Sequence, residues 1–140
     1  MNYARIALAA VAATVWDACY GFLVYGMLMA AEFGRYPGVY RSNEAGMAFL
    51  PLMFGGIFIA MIVAAMIYAK GYEGGSGIGE GARFGLLLGI FAALAFAGVN
   101  YAVLNMGRKL AVMTAAAGFF EWMIAGTIIG LVYKRAGSPR

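Results

Sequence analysis

Two acids stand where acids are rare. Asp17 and Glu121 each fall near the middle of a long apolar run that contains no lysine or arginine to neutralise them. From Ile6 to Asp17 and from Leu110 to Glu121 is the same count, eleven residues. If the two runs are entered from opposite faces of a bilayer, both carboxyls sit at similar depth near its midplane. A charge held there against lipid costs about 2.5–3.5 kcal/mol or more, so both side chains are expected to point into the protein. The neighbours agree with that expectation. Ala9, Ala13, Asp17 and Gly21 form one i,i+4 ridge, and Ala117, Glu121 and Ala125 form another. Each acid is centred on a strip of small residues that lets helices approach closely. Two kinds of chemistry fit: a proton- or cation-binding site, or hydrogen-bonded glue between helices. In either, at least one carboxyl is expected to carry a proton and donate it, with Thr14, Tyr20, Thr114 and Asn100 as candidate partners.

The elements that must position these acids follow from composition. Hydrophobic residues make up 64% of the 140 and charged residues only 11%, where a soluble domain carries about 25% charged. The reading is an all-α integral membrane protein, a single four-helix transmembrane bundle over residues 1–140. Its apolar segments run from about Ile6–Ala31, Ala48–Ala69, Phe84–Leu104 and Leu110–Tyr133. At 1.5 Å per residue each is long enough to cross a hydrocarbon core of about 30 Å. The first is over-long and needs tilt or a bend, for which Gly21 and Gly26 are placed. It also continues too far past Arg5 to be a cleaved signal peptide.

The links differ in kind. Glu32–Met47 is the sizeable loop; its Arg35, Tyr36, Tyr40 and Arg41 read as interfacial anchors or as an interaction patch. Lys70–Arg83 is glycine-rich and reads as a flexible link, with no strand before it and no Gly-Lys-Ser/Thr after it to suggest a phosphate loop. Asn105–Lys109 is a tight turn, making the last two helices an antiparallel hairpin. Basic residues divide six against four: Arg5, Lys70, Arg83, Lys134, Arg135 and Arg140 on one side, Arg35, Arg41, Arg108 and Lys109 on the other. That bias puts both termini in the cytoplasm. A faint repeat aligns Phe54, Ile59, Ala60, Tyr68 and Lys70 with Phe119, Ile124, Ala125, Tyr133 and Arg135, as two hairpins starting on the same side would give.

Further small-residue strips read as helix packing, within the chain or between chains. They are Gly56 with Ala60 and Ala64, Gly81 with Gly85 and Gly89, and Gly126 with Gly130. The last pair lies off the Glu121 face and suggests a neighbouring chain. Trp16 and Trp122 are too deep for an interfacial belt and are expected to pack between helices. Cys19 projects away from Asp17 and reads as inert.

Absences narrow the function. The chain has no histidine, which removes the usual haem ligand and the commonest acid–base catalyst and zinc ligand. Its one cysteine excludes an intrachain disulfide or a Cys-x-x-Cys centre. Lys70, Lys109 and Lys134 all sit at helix ends, leaving none for a buried Schiff base. No Gly-x-Gly-Asp precedes an intramembrane protease reading. Neither metal nor cofactor is expected, nor an enzymatic activity, and the net charge of +4 is explained by lipid headgroups without nucleic acid.

Several features together resemble a family of small, four-helix bacterial inner-membrane proteins to which no activity is assigned. They are Asp17 in the first helix, Tyr25-Gly26, the Tyr36-Pro37 and Tyr40-Arg41 loop, and Gly81-Ala82-Arg83-Phe84-Gly85. The resemblance implies that location and the four-helix fold. In architecture the chain is also similar to small multidrug resistance transporters, in which an acid of helix one exchanges protons for cationic drugs. Asp17 sits in that place, although this chain is longer, has a large first loop and adds Glu121 in helix four. The first expectation is a non-enzymatic membrane subunit, packing laterally with copies of itself or with a larger membrane complex. The alternative is a small proton- or cation-coupled transporter working through Asp17 and Glu121.

Overall fold

The computed structural model describes residues 1–134, and every described element is helical. Helix α1 spans Tyr3–Leu23 and runs on through a π-helical stretch, Val24–Leu28. The short helices α2 (Ala30–Phe33) and α3 (Asn43–Met47) follow. Helix α4 is Leu50–Gly71 and α5 is Gly77–Ala92, the latter extended by a π-helical stretch, Ala93–Gly98, and by α6, Val99–Val103. Helix α7 closes the described chain at Arg108–Tyr133. Four continuous spans are long and apolar enough to cross a membrane: Tyr3–Leu28, Leu50–Gly71, Gly77–Val103 and Arg108–Tyr133.

The spans begin where capping chemistry starts them. The Asn2 side chain accepts from the Arg5 N–H at 3.2 Å and opens α1. Pro51 stands in the first turn of α4, where its missing N–H costs nothing. Ser76 accepts from the Gly79 N–H at 3.0 Å and opens α5. That last cap corrects the sequence reading. The glycine-rich link is only Tyr72–Ser76, a turn in which Gly74 takes a φ of +94° and the Glu80 carboxylate accepts from the N–H groups of Glu73 and Gly75. Residues 77–83 are helix.

Glycine in a helix costs up to about 1 kcal/mol relative to alanine, so α5 needs a tertiary reason to form. It finds one in α7. Gly77, Gly81, Gly85 and Gly89 are the buried side of α5, and they face Gly126 and Gly130. A Cβ on Gly81 would stand 2.9 Å from the Cα of Gly130, and one on Gly89 2.6 Å from the Phe119 carbonyl oxygen. The two backbones touch. Gly126 and Gly130 therefore pack inside the chain, not against a neighbouring one as the sequence suggested. Gly56 does the reverse: it is exposed, a Cβ added there would meet nothing within 4 Å, and Ala60 one turn on is half-buried.

Helix α7 is the hub, touching α1, α4 and α5. Tyr133 at its end meets Tyr68 of α4 and Tyr72 just beyond it, while its carbonyl accepts from Arg5 of α1. The starts of α1 and α5 and the ends of α4 and α7 thus share one end of the bundle. Both hairpins begin on the same side. Arg5, Lys70, Arg83 and Lys134 lie at that end and Arg35, Arg41, Arg108 and Lys109 at the other; Arg135 and Arg140 fall outside the described residues. Toward the shared end the bundle is tight, with Ile6, Ala9, Ala10, Ala13, Met61, Ala65, Ala125 and Ile129 in one buried cluster.

Candidate functional site

The ridges read from the sequence face each other. Asp17 is 4% exposed and Glu121 8%, and their carboxyls lie within hydrogen-bonding reach halfway along the bundle. Two carboxylates repel; the pair holds together when one carries a proton and donates it to the other. Ala13 on one ridge and Ala117 and Ala125 on the other, all buried, admit this approach.

The surrounding hydrogen bonds differ from those expected. Tyr25 supplies the side chain that reaches the acids, its hydroxyl donating to Glu121 Oε2 at 2.9 Å. The four residues proposed as partners do other things. Thr14 donates to the Ala10 carbonyl at 2.8 Å, and Thr114 to the carbonyls of Leu110 and Ala111, each closing on its own helix. Tyr20 donates to the Ala117 carbonyl at 2.9 Å, one turn from Glu121. Asn100 reaches the site only as part of a cavity wall. Trp16 donates from Nε1 to the Glu121 carbonyl at 3.2 Å, tying α1 to α7 at the level of the acids. Gly21, one turn beyond Asp17, is half-buried and leaves room for the Tyr25 ring.

A cavity of about 170 Å³ adjoins Glu121. Its walls include Tyr25, Tyr40, Asn100, Met106, Thr114 and Trp122, so it runs from Glu121 toward the α6–α7 turn. Both π-helical stretches border it, through Tyr25 in one and Phe96 and Ala97 in the other. A π-turn rotates the residues beyond it relative to an α-helix and is often found at functional sites. Here one of the two carries the tyrosine that holds Glu121.

The large loop folds back over this cavity. Met29, Met106, Leu110, Ala111 and Ala117 make a second buried cluster, with Tyr25, Phe33, Tyr36 and Tyr40 packed on it. The rings of Tyr20, Tyr25, Phe33 and Tyr40 form a row from the acids to the loop, edge to face at Tyr20–Tyr25 and Phe33–Tyr40 and tilted at Tyr25–Phe33. Of the four loop residues singled out in the sequence, Tyr40 lines the cavity and Tyr36 places its hydroxyl against Gly107. Arg35 pairs with Glu32 at 3.5 Å, and Arg41 stacks 4.0 Å over the Phe49 ring. A stronger tie is Lys109 Nζ to Glu32 Oε2 at 2.7 Å, which clips α2 to the start of α7. The Lys109 hydrogen bond, helped by the nearby Arg35 charge, holds the Glu32 carboxyl below its usual range.

Glu32 was missed in the sequence because it sits at the loop edge, where acids are ordinary. Tyr25 had a signal: one more i,i+4 step along Ala9, Ala13, Asp17 and Gly21 arrives at it. Among the described residues, no three His, Cys, Asp or Glu side chains gather where a metal ion could bind. No protein-family model, curated protein or solved structure matches this chain.

Proposed function

We propose that the chain is a multi-pass protein of the bacterial inner membrane with both termini cytoplasmic, acting as a small proton- or cation-coupled carrier and not as an enzyme. The exchange site is the Asp17–Glu121 pair. One observation carries this: Glu121, whose carboxyl lies within hydrogen-bonding reach of Asp17, lines a cavity whose walls extend to Tyr40 and Met106 at the loop end, while the other end of the bundle is tightly packed. Structural glue does not need the cavity. A site that loads from one face does, and buried acids facing such a cavity are the usual mark of an ion pathway. A proton held by the pair is exchanged for a monovalent cation of similar charge demand.

The test is proton movement in liposomes loaded with a pH-sensitive dye under an imposed cation gradient. Asp17→Asn and Glu121→Gln are expected to lower the flux at least tenfold with helical content unchanged, and Tyr25→Phe to lower it less. No flux from the parent protein, together with loss of stability in both acid variants, would reduce the pair to a helix clamp.

A second reading keeps the chain as a non-enzymatic subunit, packed in membrane lipid against a second copy or another membrane protein. The first half of α4 favours it. Leu52, Met53, Phe54 and Ile59 are all exposed, and Gly56 is open among them. A small-residue opening on an unpacked helix suits close helix–helix contact. Gly56→Leu is then expected to shrink the complex measured in mild detergent; an unchanged size and unchanged co-purifying partners would end this reading.

A further inference from the structure

The chain between the first two spans crosses the loop end of the carboxyl cavity as a strap. Its residues Glu32, Phe33, Tyr36 and Tyr40 all meet the start of α7 or the turn before it. Tyr40 lines the cavity, and so does Met106 of that turn. The Tyr40 hydroxyl meets the Met106 sulfur at 4.0 Å, so ring and thioether close on each other at the loop end. Behind them the Phe33 ring stands edge to face on Tyr40, with 4.8 Å between ring centres. Elsewhere the cavity offers a hydrated ion little. Phe96, in its wall, is exposed on the side of the acyl chains, where a charge is costly, and the far end of the bundle is tightly packed.

We propose that residues 30–40 are a gate over the carboxyl cavity, with Tyr40 and Met106 as its leaves and the Glu32–Lys109 pair as its latch. Resting on the carboxyl-pair reading, this adds the regulation of that site: what admits water and ions to it. The latch is asymmetric. The Glu32 side chain is 8% exposed and that of Lys109 65%, so the closed strap buries an acid and leaves its partner at the edge. A carboxylate taken out of water is tolerated while a cation sits on it, and loss of that cation leaves a buried charge unpaired. Arg35, exposed and 3.5 Å away, is a looser partner than Lys109 at 2.7 Å. Lifting the strap is the direct way to rehydrate a deserted Glu32. Tyr40 lies on the same segment, so it leaves Met106 when the strap lifts. What then remains to hold the strap is apolar: Phe33, Tyr36 and Tyr40 on the cluster of Met106, Leu110 and Ala111. That packing re-forms when the ion pair does, and the gate is reversible.

The test is the reactivity of a cysteine placed inside the cavity. Gly118 lines it, and a Cβ there has the Tyr25 hydroxyl at 3.9 Å as its nearest neighbour, so Gly118→Cys fits. In a Cys19→Ser background, the full-length protein in lipid nanodiscs is treated with a charged, membrane-impermeant methanethiosulfonate. Labelling is expected to be slow while the latch is closed. Lys109→Met is expected to speed it at least about tenfold, because it strands a buried charge. Glu32→Gln speeds it less, since an amide needs no counter-charge, and Lys109→Arg leaves it at the parent rate. Tyr40→Ala removes one leaf and is expected to speed labelling with the latch intact. A cysteine at Gly38, on the exposed surface of the strap, is labelled quickly in every variant and serves with helical content as the control for folding. Equal rates for the parent, Lys109→Met and Tyr40→Ala would overturn the gate, all fast meaning a cavity already open and all slow a strap that does not lift. Labelling of Lys109→Arg as fast as Lys109→Met, or of Glu32→Gln faster than either, would overturn the ion pair as its latch. Proton movement by the parent protein in liposomes is the separate readout. If it persists after such a result, the carboxyl-pair reading stands without the gate; if it is absent, that reading falls whatever the labelling shows.

Discussion

Tyr25 holds one oxygen of Glu121 from a stretch of helix wound more widely than the rest, its turn closed by the Met29 N–H on the Val24 carbonyl, five residues back. The acid is thereby oriented by a residue of the π-helical stretch. A second carboxyl of consequence is Glu32. Its folded-state pKa lies below the ordinary 4.5, so the clip to Lys109 and Arg35 is fully present above that value and is lost as pH falls through the lower, folded one. Hydrogen exchange over residues 30–40, corrected for intrinsic rates, is expected to rise on acidification below about pH 4.5. In Glu32→Gln it is expected to be raised at neutral pH and to lose that step; an unchanged profile in the variant would show that the clip does not hold the loop. Asp17 and Glu121 were legible in the sequence because an acid in an apolar run has few ways to be tolerated. Their partners were less so. A hydroxyl one turn away satisfies itself on its own helix at little cost, and Thr14 and Thr114 do so, while the winding that delivers Tyr25 depends on packing further along the chain.

At the scale of elements, the contact between α5 and α7 has no room for a methyl group. Gly85→Ala and Gly126→Ala each place a Cβ against backbone of the facing helix, and overpacking of this kind costs about 1–3 kcal/mol. Gly56→Ala meets open space and is expected to be neutral. Unfolding midpoints in mixed detergent micelles check the contrast; equal midpoints for all three would mean that the two helices are free to separate. The four spans were legible from hydropathy because lipid selects length and composition directly. The start of α5 was not. Gly71, Gly74, Gly75, Gly77, Gly79 and Gly81 look alike in a sequence, and what separates turn from helix is the Ser76 cap and the backbone of α7, which lies about fifty residues downstream. The same non-local contact explains why Gly126 and Gly130 looked like a surface for another chain.

For the molecule as a whole, two hairpins starting on one side put residues 72–76 level with the start of α1 and the end of α7, and the Arg35–Arg41 loop at the far end. Single cysteines at Gly74 and Gly38, in a Cys19→Ser background, are expected to react with a membrane-impermeant maleimide from opposite faces of oriented vesicles. Reaction of both from one face would contradict the bundle as a spanning structure. Helix α7 joins the other three spans, and it is made after all of them. During synthesis, then, Asp17 waits in its place without Glu121, and the glycine face of α5 has nothing to close upon. A chain stopped short of residue 108 would hold an unmatched acid and loosely gathered segments, the state that quality-control proteases recognise. Helix α7, made after the spans it joins, decides whether they are kept.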